Sequence, residues 1–140
     1  MSKLKAKVIK YSKKLNITNL SALRSGNISA RVKEKGVEGF YITPSGRKYS
    51  SLKPRDIVFV SLKGLYNKKK GKPSSEWRFH QDIYVNKKEA KAIVHAHSTC
   101  ATAVSTHQKS IPAFHYMVAV AGGEDIKCSK YATFGTKNLS

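Results

Sequence analysis

In Ile28-Ser-Ala-Arg-Val32, apolar Ile28, Ala30 and Val32 alternate with polar Ser29 and Arg31, the period of two that a β-strand imposes on its side chains. Phe40-Tyr-Ile-Thr43 is a short aromatic and β-branched run closed by Pro44-Ser45-Gly46, and Ile57 to Leu62 carries Val58 and Val60 before Lys63-Gly64. Both read as strands bounded by turn residues. Short strands this close together predict an antiparallel meander, so the front half of the chain is expected to be mostly sheet.

Working outward, Leu4, Val8, Tyr11 and Leu15 recur at helical spacing opposite Lys3, Lys7, Lys10 and Lys14, which predicts an amphipathic surface helix before the sheet. After the meander, Pro73-Ser74-Ser75-Glu76-Trp77 places hydroxyls ahead of good helix formers, predicting a helix from about Ser75 to Val85. Phe79 and Ile83 fall on one of its faces, His80 and Tyr84 on an adjacent one. Ala92 to Ala96 reads as a buried strand. A helix or loop over Thr99 to Thr106, an apolar stretch from Phe114 to Ala121 and a final piece from Tyr131 to Gly135 follow.

At 140 residues the chain suits one domain with one core, and with 40% apolar residues it is expected to fold. Lys and Arg total 27 against 8 Asp and Glu, a formal charge of +19, and 22 of the cations are lysines. Lysine is a hydrated point charge rather than a bidentate reader of phosphates and bases. The Lys68-Lys69-Lys70-Gly71-Lys72 run reads as a solvated loop, and without a stacking platform or DNA-reading motif nucleic acid is not the expected partner. The field nevertheless favours an anionic small substrate such as a phosphorylated metabolite. No stretch is apolar enough to span a membrane and the N-terminus has no signal-peptide core, so a cytoplasmic location is expected. Cys100 and Cys128 lack a paired motif and read as small core residues.

His95-Ala96-His97 at a strand end points two imidazoles to one face. The pair is either part of a metal site, imidazole suiting Zn²⁺, Cu²⁺, Fe²⁺ or Ni²⁺, or two polar residues at a strand terminus, and as a ligand set it is incomplete by itself. Glu76 is a carboxylate at a helix start, where the ordinary role is capping. Ser25-Gly26-Asn27, Thr43-Pro44-Ser45-Gly46 and Ser74-Ser75 can offer amides and hydroxyls to a phosphate, or serve as plain turns.

Taken in order, Ser-Gly-Asn-Ile-Ser-Ala-Arg (25–31), Tyr-Ile-Thr-Pro-Ser-Gly (41–46), Lys-Pro-Ser-Ser-Glu-Trp-Arg-Phe-His (72–80), Ile-Val-His-Ala-His-Ser (93–98) and Ser-Ile-Pro-Ala-Phe-His-Tyr-Met (110–117) resemble the class II aldolase and adducin family. Ala121-Gly122-Gly123 and Tyr131-Ala-Thr-Phe-Gly-Thr136 extend the likeness. The resemblance implies an α/β fold, a mostly antiparallel central sheet flanked by helices, with residues 1–140 a single domain matching the N-terminal two-thirds of a family member. It implies zinc-dependent cleavage of a sugar 1-phosphate of the L-fuculose 1-phosphate type into dihydroxyacetone phosphate and an aldehyde, a lyase activity of carbohydrate metabolism. His95 and His97 match two ligands of one Zn²⁺ per subunit, Glu76 the proton-carrying carboxylate, and Asn27, Ser45, Gly46, Ser74 and Ser75 the phosphate cradle. Tyr116 matches a tyrosine that reaches a neighbouring subunit's site in a homotetramer.

The family's third zinc histidine falls beyond Ser140, so this stretch alone is expected to hold zinc weakly and to show little cleavage. A second departure is Leu20-Ser-Ala-Leu-Arg24, where these aldolases carry a Gly-Thr pair. The alternatives are a pentose-phosphate 4-epimerase of the same family, whose branch has Asp where Glu76 stands, a non-catalytic adducin-like module, which loses the metal histidines, and a nucleic-acid-binding module.

Overall fold

The computed structural model describes residues 2–120, 122–133 and 136–139. Helix α1 (Ser2–Ile17) buries Val8, Ile9 and Leu15, while Tyr11, expected on the buried stripe, sits on its rim, half exposed. The place next to it is taken by Ser12, whose hydroxyl donates to Val8 O at 2.7 Å and so enters the apolar interface without an unmet hydrogen bond.

Strands β1 (Asn27–Glu34), β2 (Val37–Ile42) and β3 (Val58–Ser61) form the expected meander, and β4 (Ala92–His95) adds to the free side of β1, giving the antiparallel order β3-β2-β1-β4. The β1–β2 hairpin is longer than the alternation suggested. Lys35 (φ 49) and Gly36 (φ 82) form a two-residue turn with both φ positive, and Glu34 pairs directly with Val37, the turn geometry that matches strand twist.

Each sheet face carries its own packing. Ile28, Ala30 and Tyr41 meet α1 together with Tyr49, Leu52 and Ile57. Phe40, Ile42, Val58 and Val60 pack with Tyr84 of α2 (Trp77–Asn86) on the other. Of the polar alternates of β1, Asn27 and Ser29 are therefore buried too and Arg31 half-buried. Arg31 reaches the end of α2, donating to Tyr84 O at 2.6 Å, Lys87 O at 3.0 Å and Ala90 O at 2.8 Å.

Three local expectations change. Helix α2 begins two residues after Ser75, because Ser74 and its neighbours are drawn into backbone pairing with the 43–45 turn. β4 is an edge strand, not a buried one: with β1 on one side only, Val94 stays 60% exposed. Cys100, on α3 (Thr99–Thr106), is exposed and Cys128 half-buried, so neither is a core residue. The apolar stretch from Phe114 yields α4 (Tyr116–Val120), of which Val118 is buried. Ala121, Phe134 and Gly135, within the stretches anticipated from sequence, lie outside the described residues. No described helix is long and apolar enough to cross a membrane.

Candidate active site

At the end of β1, Gly26 (φ 76) passes so close to β4 that a Cβ would meet His95 O at 2.6 Å and Ser21 Oγ at 2.7 Å. Only glycine combines that close approach with a left-handed backbone. Asn27 then pairs with His95 across the strands. The buried Ser21 Oγ accepts from His97 N at 2.9 Å, so the loop after α1 fixes the backbone of the second histidine.

Glu76 stands at the start of α2 without capping it; its side chain turns towards the sheet. Its Oε2 accepts from Asn27 Nδ2 at 2.7 Å and lies 3.4 Å from His95 Nε2, which is in turn 2.8 Å from His97 Nε2. One ligand atom from each of Glu76, His95 and His97 can be chosen so that all lie within 4.8 Å of one another. Burial, and secondarily His97, pushes the His95 imidazole below its usual range although Glu76 pulls the other way. The Glu76–His95 contact is thus a carboxylate beside a neutral ring rather than an ion pair, and a neutral ring has a lone pair to give. Two imidazole nitrogens and a carboxylate oxygen aimed at one point are a donor set for a divalent cation. The three side chains share an open cleft with Thr102 and Ser105 of α3 and with residues 127–132, which include Lys127 and Lys130.

The other residues singled out from sequence divide into two groups. Ser45 N donates to Lys72 O at 3.0 Å and Ser74 N to Thr43 O at 2.9 Å, so the 43–46 turn and the 72–76 segment run side by side with Ser45, Gly46, Ser74 and Ser75 on them. Arg24 Nη1 donates to Gly46 O at 3.0 Å, bringing a cation to that turn. Asn27, by contrast, is 1% exposed, with its amide engaged by Glu76 on one side and His80 on the other. Tyr116 is not among the residues lining the cleft of Glu76, His95 and His97; it is 74% exposed, its ring 4.3 Å from that of His115.

The sequence reading missed Ser21, Ser29, His80 and Tyr84 as parts of the site. The His80 and Tyr84 spacing was visible, but nothing in the sequence said that this polar face, rather than Phe79 and Ile83, meets the sheet most closely.

The description of the class II aldolase and adducin N-terminal domain matches residues 6–140. The chain belongs to the class II aldolase and adducin family. It is 43% identical over 133 residues to a 5-methylthioribulose-1-phosphate/5-deoxyribulose-1-phosphate aldolase of Rhodospirillum rubrum, covering 95% of this chain and 58% of that protein. It is 42% identical over 139 residues to the L-fuculose phosphate aldolase of Escherichia coli K12, covering 99% and 62%. A solved structure of an L-fuculose 1-phosphate aldolase superposes with a TM-score of 0.90 at 40% identity, over 99% of this chain and 64% of that one. The fold is therefore that of the class II aldolases, and the chain spans about 60% of the length of these relatives.

Proposed function

We propose that this chain carries the metal-holding and proton-transferring part of an aldolase that splits a ketose 1-phosphate into dihydroxyacetone phosphate and an aldehyde. The observation that carries this reading is the convergence of Glu76, His95 and His97 on one point beneath an open cleft. The paired imidazoles suit Zn²⁺, one per subunit: His95 and His97 would hold it, with the Glu76 carboxylate beside it as the proton carrier rather than a ligand. Bound there, the cation would supply Lewis acidity towards substrate oxygens.

The chain's own groups account for the rest. When the carbon–carbon bond breaks, its electron pair stays on the three-carbon phosphate, and the Glu76 carboxyl delivers a proton to that carbon. That proton is the one lost from the substrate hydroxyl as the aldehyde forms, which the ionised Glu76 carboxylate takes up before passing it on, so no net proton is gained or lost. Ser45, Gly46, Ser74 and Ser75 form the phosphate cradle, supported by the backbone ties between their two segments and by Arg24 at the edge. Asn27, its amide already committed, serves the cradle's floor by holding Glu76. Tyr116, exposed on α4, orients the aldehyde oxygen in a neighbouring subunit's site, as a tetramer would allow.

The substrate is a ketose 1-phosphate of the L-fuculose type, with the 5-deoxyribulose and 5-methylthioribulose 1-phosphates as its competitors. In a protein of the relatives' full length, dihydroxyacetone phosphate release from each of the three tests the reading and ranks them. Zinc titration of the 140-residue chain and its His95→Ala variant tests the site itself. Zinc binding unaffected by His95→Ala, or no release from any of the three, would overturn it.

A further inference from the structure

Beneath Glu76 and Asn27 runs a row of buried polar side chains, His80, Ser29 and Tyr84, to which the proposed reaction gives no part. Tyr84 OH is 2.8 Å from Ser29 Oγ, Ser29 Oγ is 2.7 Å from His80 Nδ1, His80 Nε2 bonds Asn27 Oδ1, and Asn27 Nδ2 donates to Glu76 Oε2 at 2.7 Å. Tyr84, Ser29 and His80 are fully buried. The His80 ring is flanked by the rings of Phe79 and Phe40, with centroids at 4.5 Å and 6.5 Å, so its plane is set by packing.

The polarity of the row follows from what each group can donate. An ionised carboxylate only accepts, so Asn27 turns its NH₂ to Glu76 and its carbonyl oxygen to His80. That oxygen needs a donor, which puts the ring proton on Nε2. Nδ1 of a neutral ring then accepts from the Ser29 hydroxyl, and the Ser29 oxygen accepts from Tyr84. Each polar side-chain atom of the row finds a partner in this one direction. With the proton on Nδ1 instead, Asn27 would have to turn over to serve Nε2 and would set its carbonyl oxygen against the carboxylate, leaving two buried acceptors face to face. Burial holds the His80 imidazole down at about 3, which keeps the ring neutral and able to accept and donate at once. Among the described residues, no hydrogen bond reaches Glu76 Oε1.

We propose that His80 is a positioning residue: held in place by its packing and by Ser29, its Nε2–H donates to the Asn27 carbonyl oxygen and fixes the amide so that its NH₂ grips Glu76 Oε2 and leaves Oε1 to the substrate. The functional half of this rests on the reading of Glu76 as proton carrier; the geometric half does not.

The experiment is NMR of the metal-free chain with ¹⁵N-labelled His and Asn. His80 is expected as Nε2–H with Nδ1 unprotonated from about pH 8 to about pH 5. The Asn27 side-chain amide should exchange with water about 10-fold or more slowly than exposed asparagine amides. His80→Leu fills the space between the two Phe rings without a donor and should abolish that protection. His80→Gln, which can donate from the same place, should restore part of it. Ser29→Ala removes only a hydroxyl and should leave the His80 proton on Nε2, because the Asn27 oxygen still needs that donor; this result is independent of whether His80→Leu folds, and a tautomer mixture would overturn the assignment. A wild-type His80 protonated at Nδ1, or an Asn27 amide as protected in folded His80→Leu as in the wild type, overturns the proposal. Cobalt(II) titration separates the two readings: a chain that binds no Co²⁺ yet shows the expected tautomer and amide protection refutes the metal site and leaves the Asn27 grip on Glu76 in place.

Discussion

Glu76 and His80 lie one helical turn apart and are put to opposite uses by their surroundings. Glu76 keeps one oxygen free above the cleft floor, whereas His80 is shut into the sheet–helix interface with no exposed surface. Replacing the Glu76 carboxylate with an amide that cannot carry the proton, as in Glu76→Gln, should cut turnover by roughly 10²–10⁴-fold in a full-length enzyme. Metal content of that variant, measured in parallel, should stay the same; a loss of metal would make Glu76 a ligand rather than the proton carrier. For His80 the consequence is in stability. Its pKa falls from 6.5 in the unfolded chain to about 3 in the folded one, so the unfolded state binds more protons between those values and stability declines as pH drops from about 6.5 towards about 3. The full shift corresponds to at most about 5 kcal/mol. Urea unfolding of the metal-free chain across that range should show a decline that is shallower in His80→Gln, which has no titrating ring; equal slopes would show that His80 is not the group responsible.

At the scale of elements, the meander was legible because Ile28, Ala30 and Val32 alternate strictly and the turn residues after Thr43 and Leu62 are unambiguous. What escaped notice was set by tertiary contacts. The alternation of β1 separates apolar from polar residues correctly, yet Asn27 and Ser29 are buried as deeply as Ile28, since α2 covers the second face. A period of two tells which residues share a face, not what covers it. The amphipathic pattern of α2 misleads for the same reason: its most buried residues are His80 and Tyr84, whose polar atoms are satisfied by Ser29 and Asn27 from a distant part of the chain. The paired histidines were visible at two residues' spacing, whereas Asn27 as the link between Glu76 and His80 was not, because its partners lie 49 and 53 residues away. The junction of β1 and β4 gives a test at this scale. Gly26→Ala would drive a Cβ into His95 O while forcing alanine to a left-handed backbone, so it should destabilise the chain by about 1–3 kcal/mol. Thermal unfolding would register this, and the matched Gly36→Ala, which has a positive φ but nothing within 4 Å of its Cβ, should cost less. An equal loss for both would show that backbone conformation, not the approach to His95, governs the junction.

For the molecule as a whole, the charge of +19 resides mostly in lysines, and the cleft carrying Glu76, His95 and His97 is edged by Lys127 and Lys130. Charges spread this widely add little to any one hydrogen bond, but together they raise the concentration of an anion near the cleft before contact is made. Such a field is screened by salt, over about 30 Å at 0.01 M ionic strength and about 8 Å at 0.15 M. Affinity for inorganic phosphate should therefore fall by roughly 3–10-fold across that range, while an unphosphorylated ketose, with no charge to be attracted, should bind equally at both. Isothermal titration with the two ligands separates this field from the local cradle. Ser74→Ala alters no charge, so it should weaken phosphate at every salt concentration by a similar factor and leave the slope against salt unchanged. Double substitution of Lys127 and Lys130 by Gln should flatten the slope. A phosphate affinity insensitive to ionic strength would mean that the lysines serve only as a solvated surface, and that neutral donors on the 43–46 and 72–76 segments bind the anion unaided.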